Sequence, residues 1–244
     1  MVVLSASMPK SGSAYFYNII NELLIATGKV DARQIKKRRN LDQLMKWHDN
    51  NIKTLLFNKL FKLWLISILE GTFAVKTHHP PTLSLKVFNN LGSYKIIYCY
   101  RDPRDVLLSA LDFGRKIIAN GRGHDFPKIN DFDESLEHVK LWLCVWKRYY
   151  NMSGVLMVRY EDMMERPIEI TKQIENYLSI SITDKQREEI LWKYSRDNPN
   201  GDRTGMHFNK ARVFRYKQEM LDVQKIKCQE AFGDYINEMG YDIE

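Results

Sequence analysis

Four short stretches of the chain combine cations and hydroxyl residues, one of them with histidine, in patterns suited to binding anions or moving a proton. The first follows the apolar residues 2–7 and contains Lys10, Ser11, Gly12 and Ser13. A loop of this composition between a strand and a helix presents backbone N–H groups to an anion. The phosphate loop of ATP and GTP enzymes reads GxxxxGK[ST], with lysine after the second glycine. Because Lys10 precedes Gly12, the loop predicts an anionic ligand other than a nucleoside triphosphate.

The other three stretches lie further along the chain, where further strands are predicted to end. Their residues are Lys76 and His78 after the second strand, Arg101 and Ser109 after the third, and Tyr160 at the end of the fourth. In an open parallel sheet, ligands bind outside the carboxyl ends of the strands. Cations and hydroxyl donors from several strands should therefore converge at one edge, where they suit a ligand with more than one anionic group.

The elements that position these residues alternate between apolar runs and amphipathic stretches. The pattern predicts strands at 2–7, 72–78, 94–100 and 154–160. It predicts helices at 13–27, 51–69 and 82–91, one that begins at 103, another that ends near 151, and further helices at 165–178, 183–195 and 218–238. This alternation predicts an α/β fold with a mostly parallel central sheet and helices on both faces. With no internal repeat or linker, residues 1–244 are predicted to form a single domain. The basic segment 29–50 suits a mobile flap over an anionic ligand.

One helix start can be predicted in detail. The sequence Asp102-Pro103-Arg104-Asp105 favours Asp102 as N-cap, Pro103 at the first helical position and Asp105 at the third, in the manner of a capping box.

The composition is that of a globular protein with excess positive charge. The hydrophobic fraction is 44%, and the formal charge of +7 favours anionic partners without choosing among them. The three cysteines lack CxxC spacing, so neither a zinc site nor a disulfide framework is expected. Cys99 and Cys144 lie in apolar sequence and are predicted to be core residues. No segment has the length of a membrane span or the pattern of a signal peptide, so we expect a cytoplasmic protein.

Four segments, in order, resemble the sulfotransferases that use 3′-phosphoadenosine 5′-phosphosulfate (PAPS). "MPKSGSAYF" resembles the 5′-phosphosulfate loop, "VKTHHPP" the KTHLP segment, "IIYCYRDPRDVLLSALDF" the 3′-phosphate motif and "LMVRYEDM" the YEDM strand end. "HFNKARVFRYKQEM" resembles the C-terminal RKGxxGxW loop more loosely. PKSG alone is a weak signal, whereas the ordered set is strong. The resemblance implies a P-loop-like fold, PAPS as sulfuryl donor with 3′-phosphoadenosine 5′-phosphate (PAP) as product, and no metal.

The resemblance also implies a role for each matching residue. The implied cofactor-binding residues are Lys10, Ser11, Gly12, Ser13, Tyr15, Arg101, Ser109, Tyr160, Ser195 and Lys210. Lys10 would stabilise charge on the bridging oxygen as the phosphate leaves. Ser11, Gly12 and Ser13 would donate hydrogen bonds to the 5′-phosphate. Tyr15 would stack on adenine. Arg101 and Ser109 would bind the 3′-phosphate.

His78 is the predicted general base, because histidine can remove a hydroxyl proton near neutral pH. Residues i and i+2 of a strand share a face, so Lys76 and His78 should point into the same site and His79 away from it. Lys76 would hold the acceptor or the transferring sulfuryl oxygens. A purely structural histidine, or His79 as the base, are the alternatives.

The chain departs from the family pattern chiefly in the C-terminal clamp, residues 207–217. The departures there and elsewhere are Ala14, Arg196, Asn209, Ala211 and Phe214. Arg212 and Arg215 are candidates to take over part of the clamp. Two other features favour ordinary structural interpretations. The run 36–39, "KKRR", is typical of a solvated face, and Phe57, Phe61 and Trp64 share a helical spacing typical of core.

The sequence therefore predicts transfer of a sulfuryl group from PAPS to a hydroxyl or amine of a small-molecule acceptor. The alternative is a non-catalytic nucleotide-binding or scaffold protein on the same fold, which the intact set Lys10, Lys76, His78, Arg101 and Ser109 disfavours. A nucleic-acid partner ranks last, because basic and aromatic residues are not interleaved in a recognisable motif. The sequence names neither the acceptor nor an oligomeric state.

Overall fold

The computed structural model describes residues 1–121, 126–202 and 212–242. Within these ranges four parallel strands form one sheet in the order β2-β1-β3-β4. The strands are β1 Val2–Ser7, β2 Phe73–Thr77, β3 Tyr94–Tyr100 and β4 Val155–Arg159. The first strand of the chain thus lies inside the sheet, and the loop that follows it opens between the ends of β2 and β3.

The strands are apolar on both faces because both faces are covered. In β1 the alternate residues Val2, Leu4 and Ala6 enter one core cluster, while Val3 enters the cluster on the opposite face. Every residue of β1 is buried. A continuous apolar run without visible alternation is what a central parallel strand requires.

Helices cover both faces of the sheet, as predicted. They are α1 Ser13–Ala26, α2 Ala32–Arg38, α3 Phe57–Glu70, α4 Leu83–Asn90, α5 Pro103–Asn120, α6 Phe132–Tyr150, α7 Tyr160–Glu165, α8 Pro167–Leu178, α9 Asp184–Lys193, α10 Tyr216–Glu219 and α11 Asp222–Glu238. α1, α7, α8 and α9 pack on the face that carries Val3, and α3 to α6 with α11 pack on the other. In the described ranges, no helix has both the length and the apolar character needed to cross a bilayer.

The predicted helix over 51–69 is wrong at its start, because α3 begins at Phe57. The residues before it extend the sheet edge instead. The backbone N–H of Ile52 donates to the Lys76 carbonyl at 2.8 Å, and the N–H of Lys76 donates to the Asn50 carbonyl at 3.2 Å. Pairing with β2 satisfies backbone groups that a helix would otherwise have paired internally.

Two further expectations concern burial. Cys99 is buried as predicted, but Cys144 is exposed on α6, where apolar sequence neighbours point to the other side of the helix. In the segment 29–50, Ala32, Ile35 and Met45 are fully buried in the core cluster on the α3 face. Movement of this segment as a flap stays a prediction.

Candidate active site

A cavity of about 1920 Å³ opens at the carboxyl edge of the sheet. The predicted site residues that line it are Lys10, Gly12, Ser13, Tyr15, Lys76, His78, Arg101, Ser109, Tyr160 and Ser195. Sites for one small molecule usually measure about 300–1,000 Å³. The cavity therefore has room for more than one small molecule.

The loop after β1 needs glycine at position 12 for two reasons. Gly12 has φ of +76°, in the left-handed region that disfavours side chains. A Cβ at this position would also lie 2.6 Å from Cε2 of Tyr160. Helix α1 begins at Ser13, has no side-chain cap, and lines the cavity with its first residues. Uncapped N–H groups at the positive end of a helix dipole form a cradle that fits a phosphate.

Ser11 lies behind the cavity wall. Its side chain is fully buried and does not line the cavity. The hydroxyl donates to the Met8 carbonyl at 2.5 Å, which holds the loop in shape. The hydroxyl is thus engaged inside the loop, and the contact of Ser11 with a 5′-phosphate stays a prediction.

Lys10 reaches the cavity from a left-handed backbone conformation, φ +67°. Its ammonium lies 3.8 Å from the ring centroid of Phe113 on α5. Burial, followed by the charge of Lys116, lowers the pKa of Lys10 to about 8, although Asp112 opposes the shift. The positive charges of Arg101 and Lys76 also lower this pKa. Cations clustered around Lys10 attract an anionic ligand.

Arg101 follows β3 directly and is 5% exposed. Its Nη2 donates to Asp105 Oδ2 at 2.6 Å and also to the Arg212 carbonyl, while its guanidinium lies 4.7 Å from the Tyr160 ring centroid. Its Nε is buried without a hydrogen-bond partner in the described structure. The Nε also lies 4.0 Å from Glu161 Oε1, so carboxylates on two sides hold the guanidinium at the cavity wall.

The predicted cap of α5 is half right. Asp102 is the N-cap and accepts from the backbone N–H of Arg104 at 2.9 Å. Asp105 does not close a capping box, because its carboxylate accepts from Arg101 and from the backbone N–H of Tyr216 at 3.0 Å. It connects the end of β3 to the C-terminal part of the chain instead.

Lys76 and His78 lie at the end of β2, beside the end of β1. Lys76 is 6% exposed and forms an ion pair with Asp49. The Nδ1 of His78 lies 2.9 Å from the Ser7 carbonyl oxygen. Ser7 Oγ lies 3.2 Å from the same Nδ1. The carbonyl can only accept, so the shorter contact assigns the proton to Nδ1, with Oγ as a second acceptor, and makes Nε2 the basic nitrogen.

Burial, followed by the charge of Lys76, lowers the pKa of His78 to about 4. The hydrogen bond to Ser7 and the charge of Asp49 oppose the shift. The imidazole is therefore neutral at pH 7, with Nε2 free to accept a proton.

His79 also lines the cavity, so its predicted orientation away from the site is wrong. β2 ends at Thr77, and the alternation of strand faces does not continue past it. The Nδ1 of His79 lies 3.0 Å from the Pro80 carbonyl oxygen. Both histidines therefore lie at the cavity. Of the two, His78 is hydrogen-bonded to Ser7 of β1, the strand that leads into the Lys10 loop.

The C-terminal clamp lies largely outside the described residues, including Lys210, Asn209 and Ala211. Arg215 is described and pairs with Asp112 at 2.9 Å and Glu219 at 2.6 Å, away from the cavity lining. Arg215 is thus engaged by carboxylates, and the suggestion that Arg212 and Arg215 take over part of the clamp stays a prediction. Phe214 has φ of +54°, at a position where the family pattern has glycine.

Several cavity residues were missed by sequence reasoning. They are Trp47, Asp49, Asn51, Phe113, Phe126 and Trp142. Most lie in the segment 29–50 or near α6, which match the family pattern only in general character. Phe113 is the exception, because it ends the 3′-phosphate motif and could have been assigned from it.

The family comparison covers almost the whole chain, since the sulfotransferase domain matches residues 2–243. Sulfotransferase 6B1 of Mus musculus is 25% identical over 95% of this chain and 75% of its own length. Cytosolic sulfotransferase 13 of Arabidopsis thaliana is 27% identical over 76% of this chain and 56% of its own length.

Two solved structures share the fold. Mouse sulfotransferase SULT7A1 complexed with PAP gives a TM-score of 0.63 at 20% identity, covering 98% of this chain and 84% of that one. Retinol dehydratase in complex with androsterone and PAP gives a TM-score of 0.60 at 16% identity, covering 100% of this chain and 82% of that one. The chain therefore belongs to the sulfotransferase family and has the P-loop-like α/β fold, as predicted from its sequence.

Proposed function

We propose that the chain transfers the sulfuryl group of PAPS to a hydroxyl or amine of a small-molecule acceptor, with His78 as general base. The observation that carries the proposal is the 2.9 Å contact between His78 Nδ1 and the Ser7 carbonyl. It leaves Nε2 unprotonated in the cavity that Lys10 also lines. A base and a cation at adjoining strand ends suit proton removal from one reactant and charge stabilisation on the other.

Residues on the β1 and β3 side of the cavity suit the donor. Gly12 and the first turn of α1 would hold its 5′-phosphate, with the Lys10 ammonium beside them. The Arg101 guanidinium, with Ser109 on α5, would hold its 3′-phosphate. Tyr15 and Tyr160 line the same side and offer aromatic faces to the adenine. The cofactor-binding role of Ser195 rests on its place in the cavity wall, and that of Lys210 on the sequence alone.

The proposed reaction is an in-line displacement at sulfur, for which PAPS supplies the sulfuryl group. His78 Nε2 takes the acceptor's proton as the acceptor oxygen bonds to sulfur. Lys10 stabilises the electron pair that the bridging oxygen keeps when its bond to sulfur breaks. Lys76, close to His78, stabilises the sulfuryl oxygens. Proton removal supplies about 10²–10⁴-fold in rate, and positioning with charge stabilisation supplies more.

The low pKa of His78 has a consequence for this mechanism. A base with pKa of about 4 accepts a proton weakly at neutral pH, and the nearby Lys76 and Lys10 contribute to that. The anionic donor would offset these positive charges and raise the pKa of His78 towards neutrality. The base would therefore gain strength when the donor is bound.

Aromatic residues on the acceptor side support a small organic acceptor. Trp47, Phe126 and Trp142 line the cavity together with His79 and Pro80. We also infer a cytoplasmic location, which the free thiols Cys99, Cys144 and Cys228 support.

The test is incubation of the protein with radiolabelled PAPS and a panel of hydroxyl and amine compounds, followed by separation of labelled products. Acceptor-dependent transfer of label, lost in His78→Ala, is the expected result. PAP binding without transfer to any compound in the panel would favour the non-catalytic scaffold instead.

A further inference from the structure

Helix α3 is apolar on two opposite sides. Its inner side, with Leu60, Leu63 and Ile66, is buried in the core. Its outer side exposes Phe57 (60%), Phe61 (39%), Leu65 (43%), Ile68 (61%) and Leu69 (69%). This spacing repeats every three or four residues and forms one continuous stripe. A surface helix normally carries apolar residues only on its core side, so the exposed stripe requires an explanation.

Helix α4 adds a second stripe beside the first. The centroid of Phe88 on α4 lies 5.8 Å from that of Phe57 and 6.2 Å from that of Trp64, so the helices pack side by side. Together the stripes form the α3–α4 face, made of Phe57, Phe61, Leu65, Ile68, Leu69, Leu83, Val87 and Leu91, all exposed. The prediction that Phe57 and Phe61 belong to the core is therefore wrong. An exposed apolar patch built from two helices marks an interaction surface.

The charges around this face are mainly positive. Lys59, Lys62 and Lys86 lie on the two helices, whose single carboxylate is Glu70. Glu70 forms ion pairs with Arg38 and, at 2.6 Å, with Arg39. These pairs place Arg38 and Arg39 at the C-terminal end of α3, the end that carries Ile68 and Leu69. The donor site described above uses none of these cations.

We propose that the α3–α4 face docks on an anionic lipid surface. An exposed apolar stripe with Phe, Leu and Ile, bordered by lysine and arginine, is the pattern that inserts at a membrane interface. Each lysine near an anionic leaflet raises the partition coefficient roughly fivefold. A second copy of the chain fits less well, because it would bring two positively charged borders together. This docking is peripheral and does not depend on the sulfuryl acceptor.

Co-sedimentation of the full chain with vesicles tests the proposal. One vesicle is phosphatidylcholine alone, and the other contains two parts phosphatidylcholine to one part phosphatidylserine. We expect binding to the anionic vesicle, weak or no binding to the neutral one, and release as salt is raised. The double variant Ile68→Ser/Leu69→Ser should lower the partition coefficient more than about tenfold, since both side chains lose apolar area.

Matched variants distinguish binding through the α3–α4 face from nonspecific hydrophobic binding. Ile226→Ser removes a similarly exposed side chain on α11, where Ile226 is 55% exposed, and should leave binding unchanged. Lys62→Glu should weaken binding to the anionic vesicle alone. Equal thermal melting of all variants excludes unfolding as the cause. No binding to the anionic vesicle, or binding that both serine variants reduce alike, would overturn the proposal.

Sedimentation velocity in the absence of lipid tests whether a second copy of the chain covers the α3–α4 face instead. A monomer at all concentrations is expected. A concentration-dependent dimer that Ile68→Ser/Leu69→Ser dissociates would assign the α3–α4 face to a second copy of the chain, and the lipid proposal would be wrong.

Discussion

The Ser7 carbonyl oxygen and the Nδ1 of His78 lie 2.9 Å apart, so the last residue of β1 decides which nitrogen of the histidine is basic. Ser7 also begins the connection to the Lys10 loop. One strand end thus sets the tautomer of the proposed base and leads into the loop that carries the proposed leaving-group cation.

The first prediction concerns the titration of His78. Its imidazole should titrate with a pKa of about 4 in the free protein, and PAP should raise that pKa by adding negative charge. NMR of the labelled imidazole with and without PAP measures both values. A free-protein pKa at or above the ordinary value of about 6.5 would contradict the burial of this group.

The same shift predicts the direction of a stability change. The unfolded chain binds the His78 proton below about pH 6.5 and the folded chain only below about pH 4, so this residue destabilises the fold as pH falls through that window. Urea unfolding should show a shallower loss of stability between these pH values in His78→Gln than in the native chain. If the stability of the two proteins changes with pH in parallel, the lowered pKa of His78 is excluded.

A second prediction separates backbone strain from steric contact in the first loop. Gly12 and Gly28 have similar φ values, +76° and +79°, but only a Cβ at Gly12 would meet another group. Gly28→Ala should cost about 1 kcal/mol in the free energy of unfolding. Gly12→Ala should cost more and also weaken PAP binding, because Tyr160 must move. Calorimetry and urea unfolding of both variants measure this, and normal PAP affinity in Gly12→Ala would argue against the cradle.

The third prediction assigns the 3′-phosphate. Arg101→Gln should weaken PAP binding by about 1.5–3 kcal/mol and leave adenosine 5′-phosphosulfate, which lacks a 3′-phosphate, almost unaffected. Arg215→Gln is the control, because Arg215 is equally buried but pairs with carboxylates away from the cavity. Calorimetric titration of both ligands measures the difference. Similar losses for the two ligands in Arg101→Gln would place this side chain elsewhere.

The fourth prediction follows from Lys10, whose pKa is lowered to about 8. Above this pH the free protein loses the ammonium charge, so PAP affinity should fall as pH rises from 7 to 9. Lys10→Met should bind PAP weakly at both pH values and lose the dependence. If the native chain binds PAP equally at both ends of the range while Lys10→Met binds more weakly, the pKa of Lys10 is not lowered.

The sheet could be predicted from the sequence because its strands are continuous apolar runs, such as 2–7 and 94–100, that require burial on both faces. The residues of the cavity edge followed from the strand ends and the family motifs. The ion pair of Lys76 with Asp49 could not be predicted, since it joins residues far apart in the chain through a segment without a motif. The burial of the Ser11 hydroxyl could not be predicted either, because the same sequence allows a serine hydroxyl to bond within the loop or to a ligand. The orientation of His79 was predicted wrongly because the prediction extended the strand to residue 78, whereas β2 ends at Thr77.

The measurement that tests the central claim most directly is the rate of PAP formation with one identified hydroxyl acceptor in His78→Ala and His79→Ala. The proposed mechanism predicts that His78→Ala loses about 10²–10⁴-fold in turnover with PAP affinity nearly unchanged. His79→Ala should lose little. Full turnover in His78→Ala, with or without a loss in His79→Ala, would contradict the assignment of His78 as the base.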